Sequence, residues 1–335
     1  MGSNKENKMG DITLAQQYQQ TPSLLTKGVV RALQDESELL DTLNFKDIKA
    51  TTVRTWRSGE LREVKWRRIN QPFGTVIQGQ PKPIEAGMFS FGNTVDVDYL
   101  LKEDQSAKIV DPEADQIQQT VTAMARQFND YWVNNDPIND PAGIVGLKYI
   151  IDNEFPEQLI CADPYGADDL DLDPTGADYA TNIGIFFRSL EKAIAAVHGE
   201  KPNFAVCNKT FLLNFRAICR DSGYLKTTED SLGRQFIEFN GVKFIDAGYK
   251  VDDTTMIIGD NENHNGVVTD DGDATSIYLV RMDEQHYQPF EFEALTTDRV
   301  GLREDRTNYR TVIKWDVGHI ITHPRSVSRL TGLKF

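Results

Sequence analysis

Residues 111–135 read DPEADQIQQTVTAMARQFNDYWVNN, and the rest of the chain arranges itself around them. Asp111 before Pro112 is a helix start. The carboxylate can accept from free backbone N–H groups, and proline at the first helical position presets φ where its missing donor costs nothing. Glu113 and Asp115 complement the positive end of the helix dipole. Ile117, Val121, Met124, Phe128 and Trp132 then recur at spacings of four, three, four and four. That is one apolar stripe on a long helix, halted at Asn134-Asn135-Asp136-Pro137. The stripe reads as core packing, not as a cofactor pocket.

Downstream, Ile183, Phe187, Leu190, Ile194 and Val197 mark a second helix closing at Gly199, after an acidic loop region. Residues 204–207 read as a short apolar strand, and Asn208 caps a third helix through Phe211, Leu212, Phe215 and Ile218 to Gly223. Segments 234–239 and 242–245 flank Asn240-Gly241, the sequence's best hairpin signal. Further strands are expected at 256–259, 275–280, 290–295 and 310–315, the last leading into 318–323. Upstream, 51–56 and 63–69 on one side and 88–101 on the other read as limbs of a long two-stranded excursion, joined through Gly74, Gly79, Pro81, Pro83 and Gly87. Such a hairpin is marginal alone in water and should lie against something else. Residues 1–50 are an arm: polar and Gln-rich at first, then one amphipathic stretch over 23–43 with Leu24, Val29, Leu33 and Leu40 on one face. The class is α+β.

With 335 residues, 39% hydrophobic and 26% charged, the chain can bury a core without a disulfide or metal staple. No apolar run could span a bilayer, and the polar opening, Met1–Gly10, is not a secretory signal. Cys161, Cys207 and Cys219 suit free thiols, so cytosolic synthesis is the default. The net charge of −15 argues against a protein that coats phosphate backbones. Charge is also segregated. Residues 49–68 carry seven basic groups against Glu60 and Glu63, whereas 152–178 hold nine carboxylates and 252–273 seven, neither with any Lys or Arg. Basic segments of one copy could therefore lie on acidic segments of another.

No catalytic constellation emerges. Gly143–Lys148 lacks the loop length and Ser/Thr of a phosphate loop, and no nucleophile elbow is present. His198, His264, His286, His319 and His323 are scattered, without the spacing of a zinc site. Asp169, Asp171 and Asp173 alternate as a calcium loop begins, but Pro174 stands where the turn glycine belongs and Ala180 where the bidentate glutamate belongs. No catalytic, cofactor-binding or metal residue is assigned, and no cofactor is expected.

The ending supplies the decisive resemblance. In VIKWDVGHIITHPRSVSRLTGL, residues 312–333, a hydrophobic strand and a glycine lead into His323-Pro324-Arg325, a short polar turn and Arg329-Leu330-Thr331-Gly332. This is similar to the ending of the tailed-bacteriophage major capsid proteins of the HK97-like fold. The order of parts also resembles that family, as does the segment 140–147 after the long helix. The resemblance implies an N-terminal arm (1–50), an extended two-stranded loop (51–101), a spine helix with the first part of a peripheral domain (102–201), an apical domain (202–283) and returning strands of the peripheral domain (284–335). It further implies a non-enzymatic, self-assembling shell subunit of the virion, built in the host cytoplasm into hexamers and pentamers. Its partners would be copies of itself, a portal, possibly decoration proteins, and packaged double-stranded DNA touched weakly and without sequence preference. No scaffolding-like segment precedes the arm, so scaffolding would be a separate protein. An encapsulin-type nanocompartment shell is the alternative, though its usual chain is shorter and it needs a cargo peptide; a carboxylate-based hydrolase is the remaining one. On the shell reading, Trp56, Trp66 and Phe73 supply apolar contacts to a neighbouring subunit, and Arg57, Arg62, Lys65, Arg67 and Arg68 meet its carboxylates.

Overall fold

The chain is represented by a computed structural model that describes all residues except 1–11, 22, 58–62, 74–80, 104–110, 164–167, 177, 230–232 and 305. The N-terminal segment gives β1 (Ile12–Thr13), α1 (Leu14–Gln20), α2 (Leu24–Glu36), α3 (Glu38–Thr42) and β2 (Asn44–Asp47). The expected single stretch over 23–43 is broken at Ser37. Its side chain accepts from Leu40 N at 3.1 Å to start α3, and donates to Asn129 Oδ1 at 2.9 Å. Next come β3 (Thr52–Arg57), β4 (Lys82–Gly87), β5 (Phe89–Asp98) and α4 (Tyr99–Glu103).

The long helix forms as read: α5 spans Pro112–Asn134, with Asp111 accepting from Glu113 N at 3.1 Å. Then follow α6 (Leu147–Glu154), β6 (Leu159–Cys161), β7 (Leu170–Asp171), α7 (Tyr179–Ala196), β8 (Phe204–Cys207) and α8 (Lys209–Asp221). The second half is mostly strand: β9 (Lys226–Glu229), β10 (Gln235–Phe239), β11 (Val242–Asp246), β12 (Ala274–Val280), β13 (Tyr287–Glu291), β14 (Thr296–Leu302), β15 (Asn308–Ile321) and β16 (Val327–Lys334). The β10–β11 turn is the Asn-Gly hairpin expected, with positive φ of 51° at Asn240 and 84° at Gly241. Residues 256–259 form no strand; Met256 makes only an isolated bridge to Tyr249.

Two sheets organise the molecule. One runs β6-β16-β12-β8-β11-β10-β9, with β7 on the same edge of β16 as β6. Period-two alternation buries both of its faces. Ala205, Cys207, Ile277 and Leu279 join one apolar cluster with Phe186, Leu190, Phe211 and Phe215 of α7 and α8. Phe204, Val206, Tyr278 and Val280 join a second cluster with α5 and α6. The other sheet is built on β15, which pairs with β5 along one edge and with β14 and β13 along the other. The long helix α5 joins the two. Phe128 stacks on Trp315 of β15 at 5.9 Å, and Trp132 sits 6.4 Å from Phe204 of β8 and donates to Tyr287 Oη at 2.6 Å.

One pairing differs from the sequence reading. Residues 89–98 do not return against 63–69; β5 pairs over its whole length with β15, from Asn308↔Asp98 to Val317↔Phe89. The cause is cross-strand chemistry. Arg310 binds Asp96, its register partner, through two hydrogen bonds of 2.7 and 2.5 Å, while Val95 and Val97 face the core. The final segment divides at Pro324. Before it β15 lies in one sheet; after it β16 lies centrally in the other. Gly318 marks the tight point, since a Cβ there would stand 2.4 Å from the Phe290 ring and 2.7 Å from Gly87 O.

Candidate assembly surface

The excursion survives as a stem and an outer part. Its stem is the antiparallel pair β3–β4, in register from Thr52↔Gly87 to Arg57↔Lys82. Arg57, expected on a neighbour's carboxylates, instead fastens the stem to its own chain. It donates to Glu154 Oε2 at 3.0 Å and to Ile321 O at 3.0 Å, and its guanidinium lies 4.8 Å over the Phe155 ring. Its side chain is only 15% exposed. Arg54 crosses to Glu85, its register partner, at 3.0 Å.

Beyond the stem, residues 63–73 form neither helix nor strand. There the expected extended strand over 63–69 is absent, because this stretch has no ladder partner among the described residues. Val64, Trp66, Ile69 and Phe73 are exposed, Trp66 fully, and Trp56 on the stem is 65% exposed. Five large apolar side chains on one projection form the kind of patch that marks an interaction site. The charged groups among them are engaged locally. Lys65 lies 3.1 Å from Glu63 Oε2, and Arg67 donates to Gln71 O at 3.3 Å while stacking 5.2 Å over Phe73. Arg68 is exposed, and Arg62 lies outside the described residues.

Sequence reasoning missed one cluster beside the stem. The reading of the histidines as scattered fails for three of them: His198, His286 and His323 offer ring nitrogens that all lie within 4.8 Å of one another. They line a groove that Thr55 and Trp56 of the stem also border. Burial, then the facing His198 and His286, then Arg325 and Arg281, push the His323 imidazole down to about 4. No spacing rule could have found this triplet, because its members come from three segments that only the tertiary fold joins.

Neither a family model nor a curated protein sequence matches the chain. Solved structures do. The holo-SrpI encapsulin complex from Synechococcus elongatus PCC 7942 is similar at a TM-score of 0.55 and 16% identity, covering 89% of this chain and 87% of that one. Mycobacterium phage Bobi gives 0.53 at 13% identity, covering 98% and 94%. The chain has the HK97-like capsid fold. The capsid of the native GTA particle gives 0.54 at 12% identity, covering 89% and 90%. Across the three, the likeness takes in 89% to 98% of this chain. The coverages of 89% and 87% make this encapsulin chain similar in length to the present one.

Proposed function

We propose that the protein is the major capsid subunit of a tailed bacteriophage, assembling with copies of itself into hexamers and pentamers of an icosahedral shell around double-stranded DNA. The observation that carries this reading is the likeness, along nearly the whole of both chains, to a phage structure. The exposed aromatic projection supports it, since 63–73 gain nothing by facing water in an isolated subunit. In a shell, Trp56, Trp66 and Phe73 pack on a neighbouring subunit, Lys65 and Arg67 exchange local partners for its carboxylates, Arg62 and Arg68 meet carboxylates there too, and Arg57 keeps the stem fixed. The subunit's further partners are a portal and decoration proteins. A net charge of −15 suits a wall that DNA slides past, so affinity for duplex DNA stays within the roughly 10⁻⁴ to 10⁻⁶ M nonspecific range at physiological salt.

A nanocompartment shell is the second reading, favoured by the encapsulin likeness. Electron microscopy of particles recovered from infected or expressing cells, with nuclease-protected nucleic acid measured in the same fractions, tests both. Closed shells with protected duplex DNA support the first reading. Shells enclosing a protein cargo support the second, and a small oligomer overturns both.

A further inference from the structure

We infer that His198, His286 and His323 form a site for a divalent transition-metal ion of the zinc class, bracing three chain segments beneath the stem of the excursion. The inference does not depend on the shell reading. His198 follows α7, His286 immediately precedes β13, and His323 lies in the turn between β15 and β16. The backbone already ties these segments together. His198 N donates to Arg325 O at 2.8 Å, and Thr322 N donates to His286 O at 2.8 Å. The three imidazoles are therefore delivered to one place by the fold and not by chance rotamers.

Their tautomers follow from their partners. Asp283 Oδ1 lies 2.8 Å from His286 Nδ1, and a carboxylate only accepts, so Nδ1 carries the proton and Nε2 keeps its lone pair. This carboxylate–histidine pairing is the outer-shell arrangement that orients metal-binding imidazoles. His286 is buried, and its Nε2 lies 3.4 Å from His198 Nδ1, which must donate to it. An ion takes the His286 Nε2 lone pair and, once the His198 proton moves from Nδ1 to Nε2, the His198 Nδ1 lone pair as well, so both rings stay neutral. His323, whose ring stacks on His198 at 4.2 Å, gives up the 3.1 Å hydrogen bond that its Nδ1 accepts from Arg325 N, which is left to water.

Neutral imidazole suits zinc, nickel and copper over calcium or magnesium. Three protein nitrogens leave a coordination position for water, which the groove of about 760 Å³ admits. The neighbouring cations are committed elsewhere: Arg281 Nε is 3.0 Å from Asp283 Oδ2, and Arg325 Nε donates to Ala196 O at 2.8 Å. Glu157 lines the same groove and favours a cation there, whereas Glu284, also on the groove, is paired with Lys46 at 2.7 Å.

The test is titration of the full-length, chelator-treated protein with Co²⁺ and then Zn²⁺. One Co²⁺ per chain should bind with the visible absorption of a histidine site of low coordination number, and Zn²⁺ should displace it. His198→Ala and His323→Ala should each weaken binding at least tenfold. Asp283→Asn, which keeps all three ligands, should weaken it by about 10- to 100-fold. His264→Ala, outside the cluster, should bind as the wild type does. Should His286→Ala fail to fold, the exposed His198 and the half-buried His323 still decide the matter, with circular dichroism reporting that their variants are folded. Absence of saturable binding to the wild type, or unchanged isotherms in both the His198→Ala and His323→Ala variants, overturns the inference.

Discussion

Arg329 and Arg67 carry the same guanidinium in opposite surroundings. Arg329, in β16, is fully buried and saturated: it binds Asp152 at 2.9 Å and Glu262 at 2.8 Å, donates to Gly266 O at 2.6 Å, and lies over the Tyr278 ring. Burial pulls its pKa down, but Tyr278, Glu262 and Asp152 outweigh that and raise it, so it stays charged. Arg67, in the excursion, has one carbonyl at 3.3 Å and one exposed aromatic ring. The first region uses its chemistry to close the subunit's own fold. The second leaves its chemistry exposed, and on the proposed reading that difference separates the part that folds the chain from the part that joins chains.

Breaking the buried side of this contrast should have the largest effect. Arg329→Met leaves Glu262 and Asp152 facing a buried gap, with Lys148 at 2.8 Å the remaining cation on Glu262. A loss of about 3–5 kcal/mol in urea unfolding is expected, or failure to fold.

Next is Glu291, buried in β13 and accepting from Gln17 Nε2 and Trp315 Nε1, each at 2.6 Å. Burial raises it to about 7, partly opposed by the Trp315 and Gln17 hydrogen bonds. In the unfolded chain it titrates near 4.5, so between about 4.5 and about 7 the folded chain holds a proton that the unfolded chain has lost. Stability should therefore fall as pH rises through this window, by about 3 kcal/mol in total. Urea unfolding at pH 5 and pH 8 checks the sign, and Glu291→Gln should flatten the slope.

Arg57→Ala, at the boundary between the two regions, removes a half-exposed ion pair and one carbonyl hydrogen bond, for a cost of about 1 kcal/mol. Arg62, Lys65 and Arg67 replaced together by Glu should change stability by no more than about 0.5 kcal/mol, as surface changes do. The same triple variant should yield folded subunits that form no shells, measured by sedimentation. Normal particles from it would remove the excursion's charges from the account.

Much of the fold was legible because it rests on local rules. Asp111-Pro112 and the stripe from Ile117 to Trp132 specify α5 without reference to anything else, and Asn240-Gly241 fixes the β10–β11 register through its own backbone. What escaped was pairing at a distance. Val95, Asp96 and Val97 alternate equally well for a hairpin limb or an inserted strand, and only Arg310, 214 residues away, decides between them. Ser37 looks like a mid-helix polar residue until Asn129 of α5 is placed beside it. At the candidate surface, exposed aromatics were legible as types, but the diversion of Arg57 onto Glu154 and Ile321 was not, because it depends on where α6 and the end of β15 meet. The histidine triplet escaped for the same reason.

On the proposed function, residues 63–73 belong to contacts between subunits and not to the subunit's own fold. Hydrogen–deuterium exchange of that segment, compared between dissociated subunits and assembled particles, tests it most directly. Rapid exchange is expected in the free subunit and strong protection in the particle, while β12 and β16 stay protected in both. Equal protection of 63–73 in the two states, or rapid exchange in both, would contradict it.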